Sequence, residues 1–209
     1  MVNKKVIFLG SPNAKYHPME GVAIRLTELL PDSKVLVTSE LGILDPKELM
    51  ECSVLVMYTE FDLPLFTDHE TASVISYTAN GGSLLVLHNG ISAAARNEIR
   101  DLIGAVFTGH PPYDTLPRIS YHIEAPEHPI FAGVSDFILS DEAYQFAMNP
   151  DTDKELLLSY DFEGERVPAG WYRPYGEGRM VYLCCGHNKE GFYDSQFGKI
   201  LQNTIAWLN

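Results

Sequence analysis

Short apolar segments that alternate with helical patterns are the feature that most limits how this chain can fold. Residues 6–9, 35–37, 54–58 and 83–87 are segments of this kind, and helical patterns lie between them. Strands that are apolar on both sides need cover on both faces, which is typical of a parallel sheet between layers of helices. The pattern therefore predicts an α/β fold, a three-layer sandwich with a mainly parallel sheet and helices on both faces.

Caps and spacing indicate where the helices lie. Thr67-Asp68-His69-Glu70 is a capping box, and Asn80-Gly81-Gly82 predicts the end of the helix that it opens. At the C-terminus, positions 197, 200, 201, 204, 205 and 208 form one helical face. Further strands are expected at 119–123, 156–160, 171–173 and 179–184. No linker or internal repeat divides the chain, which predicts a single domain over residues 1–209.

The charge, the apolar segments and the cysteines indicate which binding partners and which cellular location to expect. The formal net charge of −13 repels phosphate backbones and anionic lipid, so neither nucleic acid nor a membrane is expected as a partner. No segment has the roughly 20 apolar residues of a membrane helix, and residues 1–10 predict a strand instead of a signal peptide. These features predict a cytoplasmic protein. Cys184 and Cys185 end an apolar run, so we expect buried, unreactive thiols.

His88 stands where a parallel sheet of this kind often carries a nucleophile. A nucleophile elbow has the pattern G-x-[S/C]-x-G, and in residues 86–90 only Gly90 fits it, with His88 at the centre. An imidazole can serve there as a base, an acid, a hydrogen-bond donor or a metal ligand, but it is poorly suited to acyl-enzyme chemistry. The alternative interpretation is that His88 only caps the following helix.

Two other segments place reactive groups at strand ends. His187 follows the strand that ends in Cys184-Cys185-Gly186, and Asp141 and Glu142 follow residues 137–140. Ligands bind at the carboxyl ends of strands in such sheets, so these residues are candidates. Paired carboxylates can divide acid and base roles, or can simply place charge at a helix N-terminus. His187 has the alternative of a loop histidine bonded to the backbone.

Further candidates lie on loops at the same edge. His17 follows the first strand, Glu60 ends the third, and His110 lies in Gly109-His110-Pro111. No metal motif of fixed spacing is present, yet His17, His88, His110 and His187 lie on loops that can converge. Neutral imidazoles with a carboxylate suit a divalent metal such as zinc, which is the one cofactor left open. The remaining histidines are expected outside the site: His69, His122 and His128.

Taken together, these segments resemble the trehalose-utilisation (ThuA-like) family, within the class I glutamine amidotransferase-like superfamily. The matching stretches are residues 81–89, 103–111, 127–130, 140–144, 171–179 and 186–188. The resemblance implies a flavodoxin-like sandwich and a role in sugar metabolism, on an oxidised or keto form of a disaccharide or glycoside. The resemblance also favours Glu142 over Asp141 as the acid or base. The elbow cysteine of the related glutaminases is absent, and the cysteines at 184 and 185 lie on a different strand, so glutamine hydrolysis is not expected.

The leading hypothesis is a carbohydrate-acting lyase, isomerase or hydrolase. His88 and His187 would exchange protons with the substrate and Glu142 would be the partner acid or base; if a metal binds, His88 and His187 would be its ligands. Substrate-binding residues are expected to be His17, Glu60, Asn89, His110, Asp141, Arg173 and Trp171, the last as a sugar-stacking face. The alternatives are a non-catalytic sugar- or metal-binding protein and a glutaminase subunit. The expected partner is a small-molecule sugar or glycoside, and a homodimer is left open.

Overall fold

A computed structural model describes residues 5–60 and 66–209 of the chain. Nine of its strands form one sheet in the order β2-β1-β3-β4-β11-β10-β9-β6-β7, and β5 pairs with β8. The strands are β1 (Lys5–Gly10), β2 (Lys34–Thr38), β3 (Val54–Tyr58), β4 (Ser83–Leu87), β5 (Ala105–Gly109), β6 (Arg118–Ile123), β7 (Phe137–Ser140), β8 (Gln145–Met148), β9 (Glu155–Phe162), β10 (Glu165–Tyr175) and β11 (Gly178–Leu183).

The helices form two groups. In one group α1 contacts α5 and α6; in the other α3 contacts α2 and α4. The α-helices are α1 (Met19–Leu29), α2 (Pro46–Leu49), α3 (Asp68–Ala79), α4 (Asn97–Ile103), α5 (Lys189–Phe192) and α6 (Ser195–Leu208), and the 3-10 helices are Leu41–Leu44, His88–Ala95 and Pro129–Phe131. None of the helices within residues 5–60 and 66–209 has the length and apolar character needed to cross a membrane.

The predicted fold class is confirmed in the parallel half of the sheet. Strands β2, β1, β3, β4 and β11 are parallel neighbours, and every residue of β3 and β4 is buried. Such strands need apolar residues on both sides because layers cover both faces. The order 2-1-3-4 followed by one more parallel strand is the flavodoxin-like arrangement, whose ligand crevice opens between β1 and β3.

The helix ends of α3 and the apolar face of α6 are observed as the sequence predicts. Thr67 and Glu70 form the capping box at the start of α3, and Asn80 follows its last residue. The whole predicted apolar face of α6 is buried. The sequence pattern did not show that the sheet continues beyond β11 as an antiparallel extension made of β10, β9, β6 and β7.

Gly90 is held at a close approach between the turn after β4 and strand β3. A Cβ atom at this position would lie 2.2 Å from the carbonyl oxygen of Met57 and 3.1 Å from Cγ1 of Val86. Both neighbours belong to buried strands and cannot move aside cheaply. The small residue that the elbow pattern requires after His88 is therefore required here by packing.

We expect the substitution Gly90→Ala to lower the free energy of unfolding by about 1–3 kcal/mol, because the added methyl group overpacks a rigid core. Urea denaturation measures this change. Gly42→Ala is the matched control: Gly42 has no atom within 4 Å of the corresponding Cβ position, and its substitution should change stability by less than about 1 kcal/mol. Equal effects of the two substitutions would contradict the close approach.

Candidate functional site

The candidate site lies at the carboxyl edge of the parallel strands, where ligands of such sheets bind. His17 follows β1, Glu60 follows β3, His88 follows β4 and His187 follows β11. Glu142 reaches the same place from the loop between β7 and β8. The topology thus brings together side chains that are far apart in the sequence.

The carboxylate of Glu142 is the centre of this site. Its Oε2 lies 3.0 Å from Nδ1 of His187, 3.3 Å from Nε2 of His88 and 3.7 Å from Nε2 of His17. Its other oxygen, Oε1, lies 3.5 Å from Nε2 of His110. Glu142 is buried, so the rings replace the water that would otherwise solvate its charge. All four histidines on the candidate loops meet at one carboxylate.

His88 is held in a strained backbone conformation with its ring orientation fixed. Its φ of 41° lies in the left-handed region, which costs a residue with a Cβ roughly 1–2 kcal/mol. Nδ1 lies 2.5 Å from the carbonyl oxygen of Cys184. A carbonyl can only accept, so Nδ1 carries a proton and the Nε2 of a neutral His88 directs its lone pair towards Glu142.

Glu60 holds the loop that carries His17. Its two carboxylate oxygens accept hydrogen bonds from the backbone N–H groups of Tyr16 and His17, at 3.3 and 3.2 Å. The backbone N–H of Glu60 in turn donates to Oγ of Ser11. Nδ1 of His17 lies 3.6 Å from Oε1 of Glu60, and its Nε2 lies 3.2 Å from Nδ1 of His187. Glu60 therefore holds the loop that carries His17, and its carboxylate lies near the ring without a hydrogen bond to it.

Asp141 holds the two remaining segments of the site together. Its carboxylate accepts hydrogen bonds from the backbone N–H groups of Glu142 at 2.9 Å, Gly186 at 2.9 Å and His187 at 3.2 Å. Asp141 is buried, and bonds from N–H groups to a buried carboxylate are strong. The side chain predicted to bind substrate therefore makes contacts that fix the loops carrying Glu142 and His187.

The pKa values of the site follow from the balance of burial and ion pairing. Burial opposes the ionisation of Glu142, but hydrogen bonds from His17, His187 and His88 outweigh it and hold its pKa well below its usual range. Burial also opposes protonation of His187, but the hydrogen bond to Glu142 and the nearby carboxylates raise its pKa. For His17 burial prevails over the hydrogen bond with Glu142, so its pKa is lowered.

His110 lies on the outer side of Glu142, in a column of aromatic rings. Its ring is stacked between those of Tyr113 and Tyr144, each with a centroid 5.7 Å away, and Tyr144 packs on its other side near His88. Nδ1 of His110 donates to the carbonyl oxygen of Pro111 at 2.7 Å, which leaves Nε2 facing the site. The side chain of His110 is 30% exposed and those of His17 and His88 are at most 5%, so His110 is the most accessible of these three rings.

Four of these residues have the geometry of a metal site. One ligand atom from each of His17, His88, Glu142 and His187 lies within 4.8 Å of all the others. We call these four residues the His/Glu cluster. The sequence analysis assigned His88 and His187 to a metal and gave His17 and Glu142 other roles, because spacing alone does not show which loops meet.

Two predicted substrate-binding residues lie elsewhere, and those predictions were wrong. Trp171 is 0% exposed; its Nε1 donates to the carbonyl oxygen of Ile103, and its ring packs on Tyr182. Arg173 donates to backbone carbonyls in the last turn of α4. The reason is the direction of β10: it runs antiparallel to β11, so Arg173 pairs with Met180, away from the carboxyl edge.

Asn89 and the two adjacent cysteines, Cys184 and Cys185, are all buried. Asn89 is fully buried, and its carboxamide forms no hydrogen bond with residues 5–60 or 66–209. Cys184 and Cys185 are free and fully buried, and burial raises the pKa of both thiols well above the ordinary value. The expected burial of both thiols is confirmed, and a buried thiol in apolar surroundings is a poor nucleophile.

The histidines expected outside the site do lie outside it. His69 is exposed in the first turn of α3, and Nδ1 of His128 accepts from the backbone of its own turn. His122 pairs with Asp136 and Asp161. These three rings therefore serve as natural controls for the histidines of the site.

The sequence analysis missed the tyrosines that support the site. The hydroxyl of Tyr58 donates to the carbonyl oxygens of Gly186 and His187, and that of Tyr182 donates to the carbonyl oxygen of His88. Both residues lie near the ends of apolar strands. A buried tyrosine at such a position needs a partner for its hydroxyl, and this was the available signal.

We expect Asp141→Asn to lower the free energy of unfolding by about 1–3 kcal/mol, because the NH2 group that replaces one carboxylate oxygen would face a backbone N–H donor and cannot accept its hydrogen bond. Urea denaturation measures the change. Asp32→Asn is the matched control at an exposed position, where a change within about 0.5 kcal/mol is expected. If Asp141→Asn had an effect as small as Asp32→Asn, the buried carboxylate would not be holding the loops.

Solved structures of other proteins share this fold. A ThuA-like protein from Bacteroides uniformis ATCC 8492 has a TM-score of 0.73 and 18% identity, over 99% of this chain and 91% of its own. A ThuA-like protein from Parabacteroides merdae ATCC 43184 has a TM-score of 0.76 and 13% identity, over 100% and 90%. A cytoplasmic protein from Salmonella typhimurium LT2 has a TM-score of 0.70 and 14% identity, over 98% and 99%.

The family match is independent of these structures. A comparison with curated proteins finds no match. The family model described as ThuA, trehalose utilisation, matches residues 6–208, which is nearly the whole chain. The flavodoxin-like sheet and the ThuA-like structural neighbours agree with this match. The chain therefore belongs to the ThuA (trehalose utilisation) family.

Proposed function

We propose that this protein is a carbohydrate-acting enzyme whose His/Glu cluster holds a divalent metal such as zinc. The observation that carries the proposal is the convergence of one ligand atom each from His17, His88, Glu142 and His187 within 4.8 Å. Three imidazoles and one carboxylate form a donor set that suits zinc and related divalent ions. The family description of trehalose utilisation supports a glycoside as the substrate class.

The hydrogen bonds behind the cluster favour metal binding. Histidines that bind metals usually donate their second ring N–H to a carbonyl or a carboxylate, which fixes the tautomer. His88 does so through Nδ1 to the carbonyl oxygen of Cys184, and Nδ1 of His17 faces Glu60. In His88 this directs Nε2 at the centre of the cluster, whereas Nδ1 of His17 lies near the Glu60 carboxylate without a hydrogen bond to the described residues. A ring nitrogen held in this way suits a metal ligand.

The burial of His88 separates the two roles that the sequence left open for it. Its ring is 0% exposed, so it cannot reach a sugar that approaches from solvent. A neutral Nε2 lone pair 3.3 Å from the Glu142 carboxylate would repel it, and a proton or a cation between them removes this repulsion. We therefore propose that His88, His187 and His17 act as ligands, in place of direct proton exchange by His88 and His187.

The proposed reaction would combine a cation in the cluster with His110, which lies outside the cluster. A bound divalent cation would supply a Lewis acid that polarises a carbonyl or hydroxyl oxygen of the sugar. Polarising a keto group makes the neighbouring C–H more acidic, so a nearby base can remove that proton. Nε2 of His110 is the accessible ring nitrogen beside Glu142 and is suited to hold or move it. Lyase and isomerase reactions of keto-glycosides begin with removal of such a C–H proton, whereas a hydrolase reaction would need a proton donated to the leaving oxygen.

The partner and the location of the protein complete the proposal. We propose a small-molecule sugar or glycoside as the ligand; the family description of trehalose utilisation supports trehalose, and a keto form of it is part of the proposal. A cytoplasmic location is supported by the structural neighbour from Salmonella typhimurium, which is described as a cytoplasmic protein. A homodimer stays a proposal, for which analytical ultracentrifugation of the purified chain is the direct measurement.

The purified protein should bind about one zinc ion per chain, measured by equilibrium dialysis and elemental analysis. Glu60→Gln should weaken zinc binding about 10–100-fold, because Glu60 only orients His17. His187→Ala and Glu142→Gln should weaken it further, because each removes a ligand. His69→Ala is the matched control and should bind like the unaltered chain, since His69 lies outside the cluster. Equal affinity of His69→Ala and His187→Ala would show that the metal binds elsewhere.

Turnover of keto-glycosides such as a keto form of trehalose should depend on the bound metal. A chelator should abolish turnover and added zinc should restore it, because the cation polarises the substrate. His110→Ala should lower kcat about 10²–10⁴-fold while zinc binding is unchanged, which is the usual contribution of proton transfer by a side chain. His122→Ala is the control. Zinc binding without turnover of any keto-glycoside would instead favour a non-catalytic binding protein.

A further inference from the structure

A groove next to the His/Glu cluster is the feature of this molecule that the proposed function does not use. It has a volume of about 540 Å³, within the range of small-molecule sites. His187 forms part of its wall, so the groove and the cluster share this side chain. Tyr16 and Ile24 supply exposed apolar surface, and Lys15, Glu20 and Lys189 supply polar groups. We call it the Tyr16 groove.

We propose that the Tyr16 groove is the subsite for the second sugar ring of a disaccharide or glycoside whose first ring lies at the cluster. This inference rests on the proposed function for its substrate class. It corrects the position of the aromatic sugar platform: Trp171 is buried, and Tyr16 is 56% exposed. An aromatic ring with a polar hydroxyl suits the apolar faces and the hydroxyl groups of a sugar.

The backbone ties the position of Tyr16 to that of the cluster. The Glu60 carboxylate accepts from the N–H groups of both Tyr16 and His17, which are adjacent in the loop after β1. The tyrosine is also supported by Lys15, whose ammonium group donates to its hydroxyl at 2.7 Å. A ligand ring on Tyr16 would therefore have a fixed position relative to His17 and to the metal ligands.

The charges of the groove favour a neutral polyol over an anion. Two lysines, Lys15 and Lys189, are balanced by two glutamates, Glu20 and Glu190. The net charge of the whole chain, −13, also opposes the approach of an anionic ligand. Sugar hydroxyl groups both donate and accept hydrogen bonds, so ammonium donors and carboxylate acceptors side by side satisfy them.

The test compares a two-ring sugar with a one-ring sugar. Binding of trehalose and of methyl α-D-glucopyranoside to the zinc-loaded protein is measured by saturation-transfer NMR titration. Tyr16→Ala should weaken the affinity for trehalose about three- to tenfold and leave that for the methyl glucoside within twofold. Tyr16→Phe should retain the affinity, because the ring remains. Tyr193→Ala is the matched control: Tyr193 is 55% exposed and lies outside the lining of the groove.

Each result has one meaning for the subsite. The subsite would be overturned if Tyr16→Ala and Tyr193→Ala had equal effects, or if the affinities for both sugars fell equally. It would also be overturned if Tyr16→Phe lost as much affinity as Tyr16→Ala, or if the unaltered chain did not bind trehalose. Failure of the metal site is seen separately by dialysis: trehalose affinity that depends on Tyr16 in a chain that binds no zinc would keep the subsite and overturn the proposed function.

Discussion

The buried carboxylate of Asp141 is the interaction on which the site depends. It joins the loop after β7, in the antiparallel extension of the sheet, to the loop after β11, in the parallel half. Hydrogen bonds and not strand pairing make this link, because β7 and β11 are not neighbours in the sheet. A carboxylate is suited to the task since it accepts several N–H groups at once, and its burial keeps water from competing.

Glu60 holds a loop in place on the other side of the cluster. It anchors the loop after β1 to the end of β3, across the crevice at which the flavodoxin-like order changes direction. Two carboxylates thus hold loops, and a third, Glu142, faces the imidazoles. The negative charge of Glu142 persists despite burial because His17, His187 and His88 supply hydrogen bonds to it. The same carboxylate and ring nitrogens are also the donor types that a divalent cation prefers.

The sequence predicts the parallel half of the fold well, because its signals there are local. Apolar strands such as residues 83–87, the capping box at Thr67 and the required glycine at Gly90 each depend on neighbours along the chain. The direction of β10 is not a local property, and this is why Trp171 and Arg173 were misplaced. Which histidines meet at Glu142 was equally hidden, since the position of His17 depends on Glu60, far along the chain.

The depth of the side chains divides the site into an inner and an outer part. His88 and His17 lie beneath the surface, so their side chains are suited to holding a cation and not to direct contact with a substrate. His110 and Tyr16 are more exposed and lie on different loops, after β5 and β1. Under the proposed function, a sugar would contact the outer residues while the inner ones hold the cation, so that the buried edge of the sheet and the loops around it would have separate tasks.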